Sequence, residues 1–151
     1  MLPNKFTIRV YGLLVHKANV LLSKEYIKGE NYIKLPGGGL EFGEGVLDCL
    51  QREFKEELDL DVTVKGHFYT TEGYFPSAFD PSIQVVSLYY FVETDSIEKI
   101  PIKDEFETQS LKKFGDQIVY WCPINELDRQ NLKLPIDKIV LEKLKRESSF
   151  N

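Results

Sequence analysis

Apolar and polar residues alternate at the start of the chain, with Phe6, Ile8 and Val10 interleaved by Thr7, Arg9 and Tyr11. A period of two predicts a strand. Lys17-Ala18-Asn19 reads as a hairpin turn into a second strand at Val20-Leu21-Leu22. The polar stretch Lys24 to Asn31, with Gly29 in it, reads as a loop, and Pro36-Gly37-Gly38-Gly39 is expected to stop any regular element after Ile33 to Leu35. From Gly45 to Leu58 the period lengthens: Val46, Leu50, Phe54 and Leu58 recur at steps of four with Leu47 beside them, which predicts an amphipathic helix. Asp61 to Phe68, Ser82 to Val92 and Gln117 to Trp121 read as strands, the second apolar on both faces and therefore central. Glu93 to Glu107 is acid-rich and reads as a solvated loop. Pro135 to Arg146 predicts a closing helix with Ile136, Val140 and Leu144 on one face. Strands interrupted by two helices predict an α/β sandwich built on a mixed sheet, with residues 1–151 forming one domain.

Composition narrows the function classes. The chain has 151 residues, 42% hydrophobic and 28% charged, with a net charge of −5. A polymeric nucleic acid is not an expected partner, because phosphate neutralisation needs a basic face and no run of Lys or Arg supplies one. An anionic ligand would have to be attracted by something other than the protein's own charge. Cys49 and Cys122 stand apart with no metal-ligand spacing, which suggests reduced thiols in a cytoplasmic protein, one disulfide being the alternative. Arg9 and Thr7 interrupt the apolar stretch a signal peptide would need, and the longest apolar run, Val85 to Val92, is too short to span a bilayer. No membrane association is expected.

The candidate chemistry lies between Leu35 and Glu57. On a helical wheel with Val46 at zero, Glu53 and Glu57 fall at about −20° and +20°, bordering the apolar arc, and Glu56 falls near −80°. Like charges at i and i+4 are mutually destabilising, more so when partly desolvated. A hard divalent cation relieves that repulsion, since Mg²⁺ prefers carboxylate oxygens and keeps positions for water and phosphate. Taken alone, an ExxEE pattern is more simply a solvated helix face. The Pro-Gly-Gly-Gly turn before it changes the reading, because glycine lets a backbone approach a phosphate or metal closely. No Gly-Lys-Ser/Thr follows, so this is not a P-loop.

The whole segment resembles the Nudix box. Gly38 matches its opening glycine, Glu44 the glutamate after five residues, and Arg52-Glu53 the Arg-Glu pair after seven more. Phe54 takes the apolar position, Glu56-Glu57 the acidic pair and Leu60 the closing apolar residue. Leu35-Pro36-Gly37 is similar to the family's lead-in, and Asp59 departs from the pattern by standing where the family has glycine. That glycine ends the helix in the left-handed conformation, which Asp tolerates better than most residues.

The resemblance implies a MutT-like Nudix α/β/α sandwich that hydrolyses a nucleoside diphosphate linked to another group. It implies Mg²⁺, with Mn²⁺ as an alternative, held by Glu53 and Glu57 with Glu56 and the Gly37 carbonyl. The wheel independently selects Glu53 and Glu57. Arg52, four residues from Glu56, would orient that carboxylate. The base is either a box glutamate, Glu53 or Glu56, or an acid of the distant loop, Asp104, Glu105 or Glu107. Gly38, Tyr74 and Phe75 are candidates for substrate contact, the aromatics by stacking on a base. Pro76 follows Leu60 at a spacing that resembles ADP-ribose-type members, whereas a short chain is similar to MutT-like nucleoside triphosphate pyrophosphohydrolases. Both substrate types stay open, as does a monomer or homodimer. Two other classes compete: a Nudix-fold module that binds nucleotides without cleaving them, whose mark is erosion of the acidic positions, and a purely structural domain, which leaves the carboxylates without a role.

Overall fold

The structure, a computed structural model, describes residues 1–100 and 117–148. Its elements are β1 (Lys5–His16), β2 (Asn19–Ile27), β3 (Glu30–Lys34), β4 (Gly37–Gly39), α1 (Val46–Leu58), β5 (Thr63–Thr70), β6 (Ile83–Glu93), β7 (Gln117–Pro123) and α2 (Pro135–Ser148). They belong to two compact units, one of Met1–Leu13 with Pro36–Ser96, the other of Leu14–Leu35 with the chain from Ile97 onward. The mixed α/β class expected from the sequence is what the chain adopts.

In the first unit β6 lies between β1 and β5, as its two apolar faces predict. β5 and β6 pair antiparallel from Thr63↔Glu93 to Thr70↔Leu88, with irregularities near Gly66 and Tyr69. On its other side β1 carries β4, in the antiparallel register Arg9↔Gly39, Val10↔Gly38 and Tyr11↔Gly37. The glycine run is therefore a short strand and not the break its composition suggests, because extended glycines can complete a backbone ladder when a neighbouring strand offers partners. Gly37 has φ 151°, and a Cβ there would lie 2.1 Å from the Val10 carbonyl oxygen, so only glycine fits this crossing.

α1 packs on β4 and β5 through Cys49, Leu50 and Phe54, all buried. Leu47, placed on the apolar face by its wheel angle, is 47% exposed, so the buried arc is centred nearer Cys49 than the pattern of leucines suggests. The Phe54 ring lies against Gly12, where a Cβ would come within 2.6 Å of a ring carbon and 3.2 Å of a Val92 methyl. A rigid ring in a filled core cannot move aside cheaply. Gly12→Ala is expected to destabilise the fold by about 1–3 kcal/mol in a denaturant titration. α1 ends as the sequence predicts: Asp59 adopts φ 49°, ψ 43° and the Leu60 N–H donates to the Phe54 carbonyl at 3.3 Å.

In the second unit the end of β1 pairs with β2 through Val15↔Val20 and His16↔Asn19. Lys17 and Ala18 between them both have positive φ, the geometry that matches strand twist in a two-residue hairpin. The polar stretch 24–31 is not a loop. β2 continues to Ile27, turns at Lys28-Gly29 and returns as β3, while β7 pairs along its other side from Asn19 to Glu25. Backbone pairing on both edges outweighs the polarity, and the charged side chains sit on the accessible face, where Lys34 pairs with Glu25 at 2.9 Å. α2 buries Ile136, Val140, Leu141 and Leu144. Of the expected loop 93–107, Ile97–Lys99 forms a 3₁₀ turn with Ile100 buried after it, and the rest lies outside the described residues. No helix among the described residues is long and apolar enough to cross a membrane.

Candidate active site

The site is built where α1 crosses β4. Gly45 caps the helix, its N–H donating to the Asp48 carboxylate at 3.1 Å, and this fixes the phase in which the next turns face the glycines. Glu53 then lies against Gly38. A Cβ on Gly38 would fall 2.4 Å from the Glu53 carboxyl carbon and 2.5 and 2.6 Å from its oxygens. The missing side chain is what gives this carboxylate its seat. Cys49, one turn earlier, is buried beneath the same strand with its thiol 3.5 Å from the Gly39 carbonyl oxygen. Burial pushes the Cys49 thiol up to about 11, so at neutral pH it is an uncharged packing group.

Arg52 ties the site together, with its N–H groups aimed at four residues. Nε and Nη2 donate to the two oxygens of Glu44 at 2.9 and 2.7 Å, a bidentate clasp. Nη2 also donates to the Gly39 carbonyl at 3.0 Å. Nη1 donates to Glu53 at 2.9 Å and to Glu56 at 3.1 Å. The expected Arg52–Glu56 contact is present. The Glu44 clasp is one the sequence did not disclose, because Glu44 precedes the helix and shares no helical spacing with Arg52.

The same clasp sets the electrostatics. The Arg52 guanidinium, helped by the Glu41 N–H, holds the Glu44 carboxyl at about 2 against an ordinary 4.5. Arg52 in turn has its pKa raised, chiefly by the hydrogen bond to Glu44. A carboxyl whose folded pKa lies below its unfolded value stabilises the fold above the unfolded pKa and loses that effect as pH falls towards the folded one. Melting temperature should therefore decline as pH drops from about 4.5 towards about 2, and Glu44→Gln should flatten that limb of the profile.

The other candidates are distributed unevenly. Glu53 is buried to 13% side-chain exposure and Glu56 is 60% exposed. Glu57 is exposed as well: burial along α1 depends on axial position as much as on angle, and Glu57 lies in the last turn. Tyr74 is 54% exposed on the connection between β5 and β6, and Phe75 beside it is half-buried, with its carbonyl accepting from Val85 N–H at 2.9 Å. Pro76 bridges to Gln84. Among the described residues no hydrogen bond or ion pair joins Tyr74 or Phe75 to the carboxylates of α1. Asp104, Glu105 and Glu107 lie outside the described residues.

Among the described residues no three His, Cys, Asp or Glu side chains converge into a ready-made metal cage. The donor chemistry nevertheless fits a hard cation: Glu53, Glu56 and Glu57 offer only oxygens, and the Gly38 seat keeps one of these carboxylates against a backbone that can add a carbonyl.

A NUDIX domain matches residues 5–144, nearly the whole chain. The protein belongs to the Nudix family and is a hydrolase acting on pyrophosphate bonds. Solved structures of similar fold include the MutT protein of Methanosarcina mazei Go1, at TM-score 0.70 and 16% identity, covering 98% of this chain and 99% of that one. A NUDIX hydrolase from Nitrosomonas europaea matches at TM-score 0.70 and 17% identity, over 96% of this chain and 90% of the other. A MutT protein of methicillin-resistant Staphylococcus aureus 252 matches at TM-score 0.63 and 23% identity, over 95% and 98%. These likenesses speak for the fold.

Proposed function

We propose that this protein, read as one domain over residues 1–151, is a Mg²⁺-dependent pyrophosphohydrolase of small nucleotides. Its substrate is a nucleoside diphosphate joined to another group, either a nucleoside or deoxynucleoside triphosphate or an ADP-ribose or nucleotide-sugar type compound. Mn²⁺ is expected to substitute for Mg²⁺, and the cytoplasm is the expected setting. The observation that carries this reading is the pairing of Glu53, seated on Gly38, with Glu56 through a single nitrogen of Arg52.

In this reading Glu53, Glu57 and Glu56, with the Gly37 carbonyl, would hold the cation. When bound, the divalent ion neutralises the pyrophosphate and polarises its P–O bonds, which also explains how a chain of net charge −5 attracts an anion. Arg52 positions Glu53 and Glu56. One of those two carboxylates accepts the proton of the attacking water at an Oε atom. Gly37 and Gly38 keep side-chain bulk away from the phosphates, and the exposed ring of Tyr74, with Phe75 beside it, offers a face on which a base can stack.

The test is a panel of ADP-ribose, nucleotide sugars, diadenosine polyphosphates and canonical or oxidised deoxynucleoside triphosphates, assayed with Mg²⁺ and with EDTA. Turnover of at least one compound, abolished by the chelator, is the expected result. Tight nucleotide binding with no turnover anywhere on the panel would replace the enzyme with a binding module.

A further inference from the structure

The guanidinium of Arg52 has two ends with different partners. Nε and Nη2 are committed to Glu44 and to the Gly39 carbonyl, at 2.9, 2.7 and 3.0 Å, so this end is anchored to the segment that precedes α1. Nη1 is committed to Glu53 and Glu56, at 2.9 and 3.1 Å, with Glu41 3.7 Å away. A guanidinium carries five N–H groups, and these contacts use all five. The half of the charge at Nη1 thus does for Glu53 and Glu56 what a cation would do: it holds two carboxylates together and suppresses their repulsion.

We infer that Arg52 Nη1 is an internal competitor for the divalent cation, released from Glu53 and Glu56 when the ion binds while the Nε and Nη2 clasp on Glu44 stays closed as a pivot. The inference rests on the functional reading above. It adds that the cation must displace two charged hydrogen bonds, so the affinity of the site is lowered in the wild-type protein. In return the ion-free helix avoids two crowded, uncompensated carboxylates. A guanidinium that only braced the helix would behave in the opposite way, since removing it would leave the carboxylates misplaced and weaken the ion's hold.

The two roles separate in a Mn²⁺ titration, with free ion followed by its paramagnetic resonance signal. Arg52→Gln is expected to bind Mn²⁺ on the order of tenfold more tightly than wild type, the equivalent of about one charged hydrogen bond no longer to be broken. Its melting temperature should fall well below wild type in EDTA and recover most of the difference in saturating Mn²⁺. Equal or weaker Mn²⁺ binding by the variant would overturn the exchange while leaving the proposed function standing. Absence of Mn²⁺ binding by the wild type would overturn both. Should Arg52→Gln not fold, the wild-type protein labelled with ¹⁵N-arginine gives the same decision. On saturation with Mg²⁺ the Nη1 protons of Arg52 should shift and exchange faster with solvent while the Nε proton stays protected. Guanidinium signals that do not move would refute the exchange.

Discussion

Glu53→Gln is expected to lower turnover of the best panel substrate on the order of a thousandfold with little change in stability. The amide has nearly the shape of the carboxylate, so it can keep the seat on Gly38 and still accept from Arg52 Nη1 through its oxygen. What it loses is the negative charge that would hold a cation and stabilise the charge developing around phosphorus. The corresponding change at Glu56, 60% exposed against 13% for Glu53, is expected to be milder unless that residue is the base. Steady-state kinetics alongside thermal melts distinguish loss of chemistry from loss of fold. A Glu53→Gln enzyme within tenfold of wild type would remove Glu53 from the reaction.

Gly38→Ala should produce nearly as large a defect from a change on the opposite element. The added methyl would sit 2.4 Å from the Glu53 carboxyl carbon, a contact that cannot persist. The clash is with the far end of a flexible side chain, so the fold can absorb it by letting Glu53 swing away, and β4 can keep its pairing with β1. Displacement by about 1 Å is enough to cost on the order of a hundredfold in rate. Gly38→Ala should therefore melt close to wild type and turn over poorly, whereas Gly12→Ala, where the methyl meets the Phe54 ring 2.6 Å away, should do the reverse. Opposite outcomes for two identical substitutions would separate the seat of a functional carboxylate from ordinary core packing.

The sequence disclosed what local patterning controls. α1, its left-handed end at Asp59, the Lys17-Ala18 turn, the central position of β6 and the apolar face of α2 follow from periodicity and turn chemistry. It did not disclose what depends on partners distant in the chain. β4 is a strand because β1 lies beside it, and β2 runs through a polar stretch because β3 and β7 flank it. The box spacing placed Glu53, Glu56 and Glu57 on one helix, yet the wheel treated Glu53 and Glu57 as equivalent. The structure divides them, because a wheel carries angle without axial extent. Cys49 looked chemically idle, and its place under Gly38 and Gly39 shows only when α1 is laid on β4. The Glu44 clasp on Arg52 likewise needs the turn at Gly45 to bring the two together.

Crystals of the protein grown with Mn²⁺ and a non-hydrolysable nucleotide diphosphate analogue, and measured at the manganese absorption edge, give the most direct test. An anomalous peak bounded by the Glu53 carboxylate and the acidic turn of α1, in contact with the analogue's phosphates, is the predicted result. A nucleotide bound with its phosphates remote from Glu53, and no manganese at that carboxylate, would contradict it.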